Sequence, residues 1–266
     1  MVWGRLKGIA ERARHGDPRG EVLPDFAGDF YLAVLERLHD ALQPRTYFEI
    51  GTCFGFSLAL SRCAAIAVDP AFRITEPEIV AKMIDRPSLM LFQSTSDAFF
   101  AKQDPVRLFG QPIEFAFLDG MHRCEFLLRD FINAERHCRP NSMIALHDCL
   151  PVEGSMTARN PGALTPSERH RSDWWTGDVW RTVLYLKRHR RDLDITCLDA
   201  AETGLVLVSG LDPAFHRSRW DYDAAVRTML GWNLREIGLR SLFDELGVET
   251  TDTLRHRDQI TARYAL

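Results

Sequence analysis

Two groups of residues in this chain have the types and spacing to do chemistry. The first is Glu49, Gly51 and Gly55, with Asp69 twenty positions after Glu49. An apolar run at 46–50 leads into the glycines, and a second apolar run ends at Asp69. Glycine permits a sharp turn after a strand and lets a ligand lie against bare backbone. A carboxylate at the next strand's end can accept hydrogen bonds from both hydroxyls of a ribose. Gly51 and Gly55 are four apart and no third glycine follows. That spacing counts against the Gly-x-Gly-x-x-Gly turn of nicotinamide-dinucleotide enzymes. The second group is Asp119 and His122, after the run 113–118, with His147 and Asp148, after the run 142–146. Acids can hold a divalent cation through oxygen. An imidazole, with an ordinary pKa of about 6.5, can take a hydroxyl proton at neutral pH. Plain structural work would also suit these acids, Asp119 ordering a loop and Asp148 capping a turn.

Such residues act together only if their strand ends share an edge. From 46 to 210, short apolar runs alternate with helical segments, the pattern of a parallel sheet with helices on both faces. The runs are 46–50, 64–68, 88–92, 113–118, 142–146, 193–198 and 205–208. Several are apolar almost throughout, as strands covered on both faces should be. Helices are expected at 26–42, at 125–138, where Leu127, Leu128, Phe131 and Ala134 recur at spacings of three and four, and at 178–189. Arg139, Pro140 and Asn141 are expected to stop the second of these before the next strand. Ligands bind beyond the carboxyl ends of such strands, which puts both groups on one edge. Residues 151–177, with Trp174 and Trp175, are too long for an ordinary connection and read as a lid; Trp180 reads as core. Lys187–Arg191 reads as a basic helix end. Residues 211–266 read as helices at 222–230 and 234–246, whose apolar faces could cover the core or a second copy.

Glu49, Gly51 and Gly55, the Val68-Asp69-Pro70 strand end, Asp119 with His122, His147 with Asp148, and the downstream 177–180 and 203–205 together resemble class I S-adenosylmethionine (SAM)-dependent methyltransferases. Their order is similar to a bacterial family related to the catechol and macrocin O-methyltransferases, over about residues 26–213. The resemblance implies an α/β, Rossmann-like class I fold: a mostly parallel seven-stranded sheet with helices on both faces and a helical C-terminal extension. It divides the chain into an N-terminal extension (1–25), a methyltransferase domain (26–210, lid 151–177) and a helical appendix (211–266). It implies SAM as cofactor, with Glu49 near the methionyl amino group. Gly51, Thr52, Gly55, Ser57 and Asp119 would line the cofactor, and Asp69 would hold the ribose. Ser96 would lie in the loop that meets the adenine, although Ser96 and Asp97 equally suit a helix N-cap. In catechol-type relatives two strand-end acids and a neighbouring amide hold Mg²⁺. Asp119 and Asp148 match the acids, but Cys149 stands where the amide would be, and thiolate suits Mg²⁺ poorly. Metal-dependent and metal-free readings both stay open, with His122 or His147 available to a softer ion. His122 stands where those relatives carry lysine and is the expected general base, with His147 its rival. The implied reaction is O-methylation of a small molecule or sugar. A NAD(P)-linked oxidoreductase and a non-catalytic SAM-binding protein are the alternatives. SAM binding separates the first from this reading, and turnover separates the second.

Bulk properties exclude other classes. Of 266 residues, 45% are hydrophobic and 26% charged, ordinary for a soluble globule. The net charge of −4 gives no general attraction to nucleic acid or anionic membrane. No apolar run approaches the roughly 20 residues of a membrane span. The N-terminus lacks the apolar core of a secretion signal; residues 2–13 read as an amphipathic surface helix. Six scattered cysteines without Cys-x-x-Cys spacing read as reduced thiols of a cytoplasmic protein.

Overall fold

The computed structural model describes residues 21–160, 162, 174–215 and 221–266. The expected helix at 2–13 and residues 163–173 of the expected lid lie outside them. The seven apolar runs form β1 (Thr46–Ile50), β2 (Ala64–Asp69), β3 (Leu89–Gln93), β4 (Ile113–Leu118), β5 (Cys138–His147), β6 (Asp194–Leu198) and β7 (Leu205–Ser209). They make one sheet in the order β3-β2-β1-β4-β5-β7-β6. β1 to β5 are parallel, and β7 runs antiparallel between β5 and β6. This is the mostly parallel seven-stranded sheet that was expected. Its order reverses between β1 and β4, the switch point where such sheets open a ligand crevice.

The helices are α1 (Tyr31–Leu42), α2 (Pro77–Ile84), α3 (Ser96–Phe100), α4 (Pro105–Phe109), α5 (Cys124–Glu135), α6 (Trp180–His189), α7 (Tyr222–Leu230), α8 (Leu234–Ile237), α9 (Leu239–Leu246) and α10 (Arg257–Arg263). Side chains alternate across the strands, so each face has its own core. Phe48, Ile50, Leu118, Ile144, Leu146 and Val206 pack with α5, α6 and α9. Tyr47, Phe115, Phe117, Ala145 and Leu207 pack with α1 and α10. Residues 211–266 therefore serve both faces: α9 buries Leu242, Phe243 and Leu246, and α10 buries Ile260. Between them Glu249 extends the β6 edge, its N–H donating to the Cys197 carbonyl at 2.9 Å. Trp180 is core, and Arg190 of the basic run is buried against Glu135 at 2.7 Å. No helix among the described residues is long and apolar enough to cross a membrane.

Four details differ from expectation. The first helix begins at Tyr31, because the chain before it is extended and Tyr31 N–H bonds the Ala201 carbonyl at 3.0 Å. Arg139, Pro140 and Asn141 do not separate helix from strand but lie inside β5. The Ser142 hydroxyl carries the pairing there, donating to the Ile113 carbonyl at 2.6 Å and accepting from Arg139 N–H at 3.0 Å. The helix at 234–246 is two, broken where Gly238 takes φ 81. The cap of α3 is Thr95, which accepts from Ala98 N–H, while Asp97 pairs with Arg129 at 2.6 Å.

Candidate active site

The carboxyl ends of β1, β2, β4 and β5 bring both groups to one edge. At β1, Glu49 is fully buried and accepts from the Tyr47 hydroxyl at 2.6 Å. Its other oxygen, Oε1, has no hydrogen-bond partner, nor does the buried hydroxyl of Thr52. Burial drives the Glu49 carboxyl up to about 7, and the nearby hydroxyls of Tyr47, Thr52 and Ser57 offset only part of that. A buried acceptor left bare is costly, so this pair fits a ligand carrying an ammonium and a hydroxyl-binding oxygen. Gly51 turns the chain at φ 87, and a Cβ there would stand 1.9 Å from the Asp119 carbonyl oxygen. β4 thus approaches so closely that only glycine fits. Asp69 ties the loop, accepting from Cys53 N–H at 2.8 Å and Ala71 N–H at 2.6 Å. Ser57 is buried beside this loop, and Gly55 turns it at φ 82. Ser96 lies further along the edge, in the first turn of α3.

At β4 and β5 four side chains converge. His122 Nε2 lies 3.1 Å from Asp148 Oδ2 and 3.5 Å from Asp119 Oδ1. His147 Nδ1 lies 3.3 Å from Asp119 Oδ2 and 3.5 Å from Asp148 Oδ2. Burial alone would lower both imidazoles. The two carboxylates outweigh it, pushing His122 up to about 9 and His147 up to about 10. Reciprocally, and against its own burial, Asp119 is held well below the usual carboxylate range by His147 and His122. The backbone orients each group. Asp148 sits at φ 57, an uncommon conformation for a non-glycine residue; the Thr203 hydroxyl donates to its Oδ1, and Leu150 N–H bonds the Thr203 carbonyl at 3.0 Å. His122 Nδ1 lies 2.7 Å from the Trp175 carbonyl oxygen. Nδ1 therefore carries a hydrogen in either protonation state, and Nε2 is the nitrogen whose proton can come and go. The Trp175 indole, 4.9 Å from the imidazole, donates to the Ala158 carbonyl at 2.6 Å. The Tyr31 ring lies over His147, centroids 3.9 Å apart and planes tilted by 33°.

All the residues expected at the site except Ser96 thus lie around one turn-and-corner. Tyr31 and Thr203 were not singled out by sequence as site residues. Thr203 has a faint signal in its small polar type before Gly204; Tyr31 has none, since it opens an ordinary amphipathic helix. Cys149 turns away, its sulfur 3.1 Å from the His147 carbonyl.

A family described as a methyltransferase domain matches residues 48–149. Among solved structures, the chain is similar to the O-methyltransferase TomG from Streptomyces achromogenes in complex with SAM. Identity is 15%, coverage 68% of this chain and 80% of that one, and the TM-score 0.45. It is also similar to an O-methyltransferase from Bacillus cereus in complex with SAH, at 14% identity, 78% and 87% coverage and a TM-score of 0.42. A methyltransferase from Geobacter sulfurreducens matches at 17% identity, 79% and 88% coverage and a TM-score of 0.39. No curated protein matches the chain.

Proposed function

We propose that this chain is a SAM-dependent methyltransferase that transfers the methyl group to a hydroxyl oxygen of a small molecule or sugar, a reading supported by the methyltransferase-domain match over residues 48–149. One observation carries the reading: an acid–imidazole corner stands on β4 and β5, directly beside the glycine turn of β1. A hydroxyl is a weak nucleophile until its proton has somewhere to go. Amines that are already neutral would not need such a corner.

SAM brings a methyl already activated on a sulfonium sulfur, so the protein's work is alignment, water exclusion and proton removal. Glu49 Oε1 and the Thr52 hydroxyl would receive the amino-acid end, and Asp69 the ribose through lone pairs its loop amides leave free. Ser57, Gly55 and Asp119 would line the path between, with Ser96 near the adenine. His122 Nε2 is the proton acceptor once it has lost the proton that the two carboxylates hold on it up to about pH 9, so turnover should rise with pH toward that value. The tautomer of His122 is set by the Trp175 carbonyl, and the imidazolium it becomes is stabilised by Asp148 and Asp119. His147 supports the same acids from behind the strand. Trp175 walls the corner on the lid side.

The corner also fits a divalent cation. Asp119 Oδ1 is buried and without a hydrogen bond, and one ligand atom from each of Asp119, His122 and Asp148 lies within 4.8 Å of the others. Such an ion, held by Asp119 and Asp148, would draw down the acceptor hydroxyl's pKa and cancel the carboxylate field that favours protonated His122.

Calorimetric titration with SAM and NAD, followed by mass-spectrometric detection of methylated products from a library of hydroxylated acceptors, tests the function. SAM binding and a methylated hydroxyl are expected. NAD binding without SAM binding overturns the assignment, and methylated amines alone overturn the oxygen acceptor.

A further inference from the structure

Two carboxylates and a thiol meet at the first turn of α5, on Glu125, Asp178 and Cys124. Their counter-charge is a side chain. Arg159 Nη1 lies 2.6 Å from Asp178 Oδ2 and 3.0 Å from Glu125 Oε2, and Nη2 pairs with Glu125 Oε1. Against burial, this fork holds the Glu125 carboxyl below its ordinary value. Asp178 does not depend on it. That buried acid also accepts from Cys124 N–H at 2.8 Å and from Arg181 at 2.7 Å, so it keeps a charge partner on α6 in any case. What Arg159 adds is a charged tie between its own segment and α5.

That segment carries the wall of the catalytic corner. The Met156 carbonyl accepts from Thr176 N–H and from Gly177 N–H, each at 3.0 Å, and the Ala158 carbonyl accepts from the Trp175 indole at 2.6 Å. Residues 156–159 and 175–177 are thereby joined into one piece. Its far side rests on His122. The Trp175 carbonyl oxygen lies 2.7 Å from Nδ1, and a Cβ at Gly177 would stand 1.8 Å from the His122 carbonyl oxygen. A line of contacts thus runs from Arg159 through Ala158 and Trp175 to His122.

We propose that Arg159 is a positioning residue for methyl transfer: it holds the Trp175 carbonyl and indole against His122, and so sets the angle at which Nε2 meets the acceptor hydroxyl. The imidazole can turn about its bond to Cβ, and the hydrogen bond at Nδ1 fixes it from the end away from the acids. A shift of about 1 Å in such a support can cost about a hundredfold in rate. The inference rests on the reading of His122 as the proton acceptor.

The test is a double-mutant cycle on the full chain, with turnover followed by radiolabelled SAM and the best hydroxylated acceptor of the library. Arg159→Met should lower kcat about tenfold to a hundredfold and leave SAM affinity unchanged. In the His122→Ala background the same substitution should cost little further, because the base it positions is gone. Arg159→Lys, which keeps a charge but not the two-acid fork, should fall between. A second readout needs no acceptor. In nuclear magnetic resonance spectra of ¹⁵N-histidine-labelled chain, His122 Nδ1–H should give a slowly exchanging downfield proton, assigned by its loss in His122→Ala and absent from Arg159→Met. Glu125→Gln leaves Asp178 paired and should show the same pattern with a smaller loss; it carries the test if Arg159→Met does not fold. Equal losses of kcat in both backgrounds, weakened SAM binding, or an Nδ1–H signal that Arg159→Met leaves unchanged overturns the proposal. If His122→Ala loses rate and Arg159→Met does not, this inference fails alone. If His122→Ala keeps the wild-type kcat, the base reading falls and this inference with it.

Discussion

At the scale of single residues, the corner of β4 and β5 combines groups that would each be ordinary elsewhere. His122 is the position where removing one side chain should cost most in rate. General-base catalysis contributes roughly 10²–10⁴-fold, so His122→Ala should lower kcat by about that factor, on the order of 3–5 kcal/mol of barrier. SAM affinity should change little, because the proposed seat of the cofactor's amino-acid end is Glu49 and not His122. Steady-state kinetics paired with calorimetry separates the two; an unchanged kcat removes His122 from the proton's path. Glu49 yields a prediction about pH. Its folded pKa of about 7 lies above its ordinary value of 4.5. The folded state therefore holds the proton more tightly than the unfolded chain, and that contribution is present below pH 4.5 and lost as pH rises through 7. The effect is on the order of 3 kcal/mol at most. Glu49→Gln lacks it, so the melting temperature of the variant should gain on the wild type between pH 5 and pH 8 in the absence of SAM. Equal gaps at both pH values would mean that Glu49 is not the buried titrating group. Both residues were legible in the sequence as types at strand ends. What their neighbours do to them was not, because the Tyr47 hydrogen bond and the Trp175 carbonyl depend on packing across the fold.

Among the elements, the strands were readable to within a residue or two at most ends because apolar runs in a covered parallel sheet have little else they can be. β5 was the exception: Pro140 reads as a stop, yet Ser142 supplies the hydrogen bonds that an interrupted ladder lacks. The glycine turn was legible too, but for an incomplete reason. Gly51 is needed first by the approach of β4, whose Asp119 carbonyl oxygen would stand 1.9 Å from any Cβ; at Gly55 the nearest atom is the end of the flexible Met83 side chain. Both positions have positive φ, so alanine costs about 1 kcal/mol in each from backbone strain. Gly51→Ala should cost clearly more, because carbonyl backbone cannot step aside as a methionine methyl can, and it should displace Asp119 and weaken SAM binding together. Denaturant titration of the two variants gives the comparison, and equal losses would contradict it.

For the molecule as a whole, the segment after β7 is part of the fold's closure. Ile260 of α10 is buried against the α1 face of the sheet, so Ile260→Ala should cost about 2–5 kcal/mol in equilibrium unfolding. A loss well under 1 kcal/mol would show that α10 is dispensable. Nothing in the sequence of the tail foretold this, since an amphipathic helix shows that it has an apolar face but not whose surface it covers. The same closure governs the catalytic corner. Thr203, which orients Asp148, lies after residue 149, and Tyr31, which flanks His147, lies before residue 48; the family-matched segment 48–149 between them holds the glycine turn and both acids. On the ribosome, a nascent chain that has emerged only through β5 already possesses the residues proposed to grip the cofactor, but the hydroxyl that aims Asp148 is still more than fifty residues away in sequence. The orientation of Asp148 must therefore wait for the last hairpin, whose strand β7 also completes the pairing of β5. Changes confined to that hairpin and to the start of α1 can therefore retune which acceptor is methylated while leaving the grip on SAM as it is.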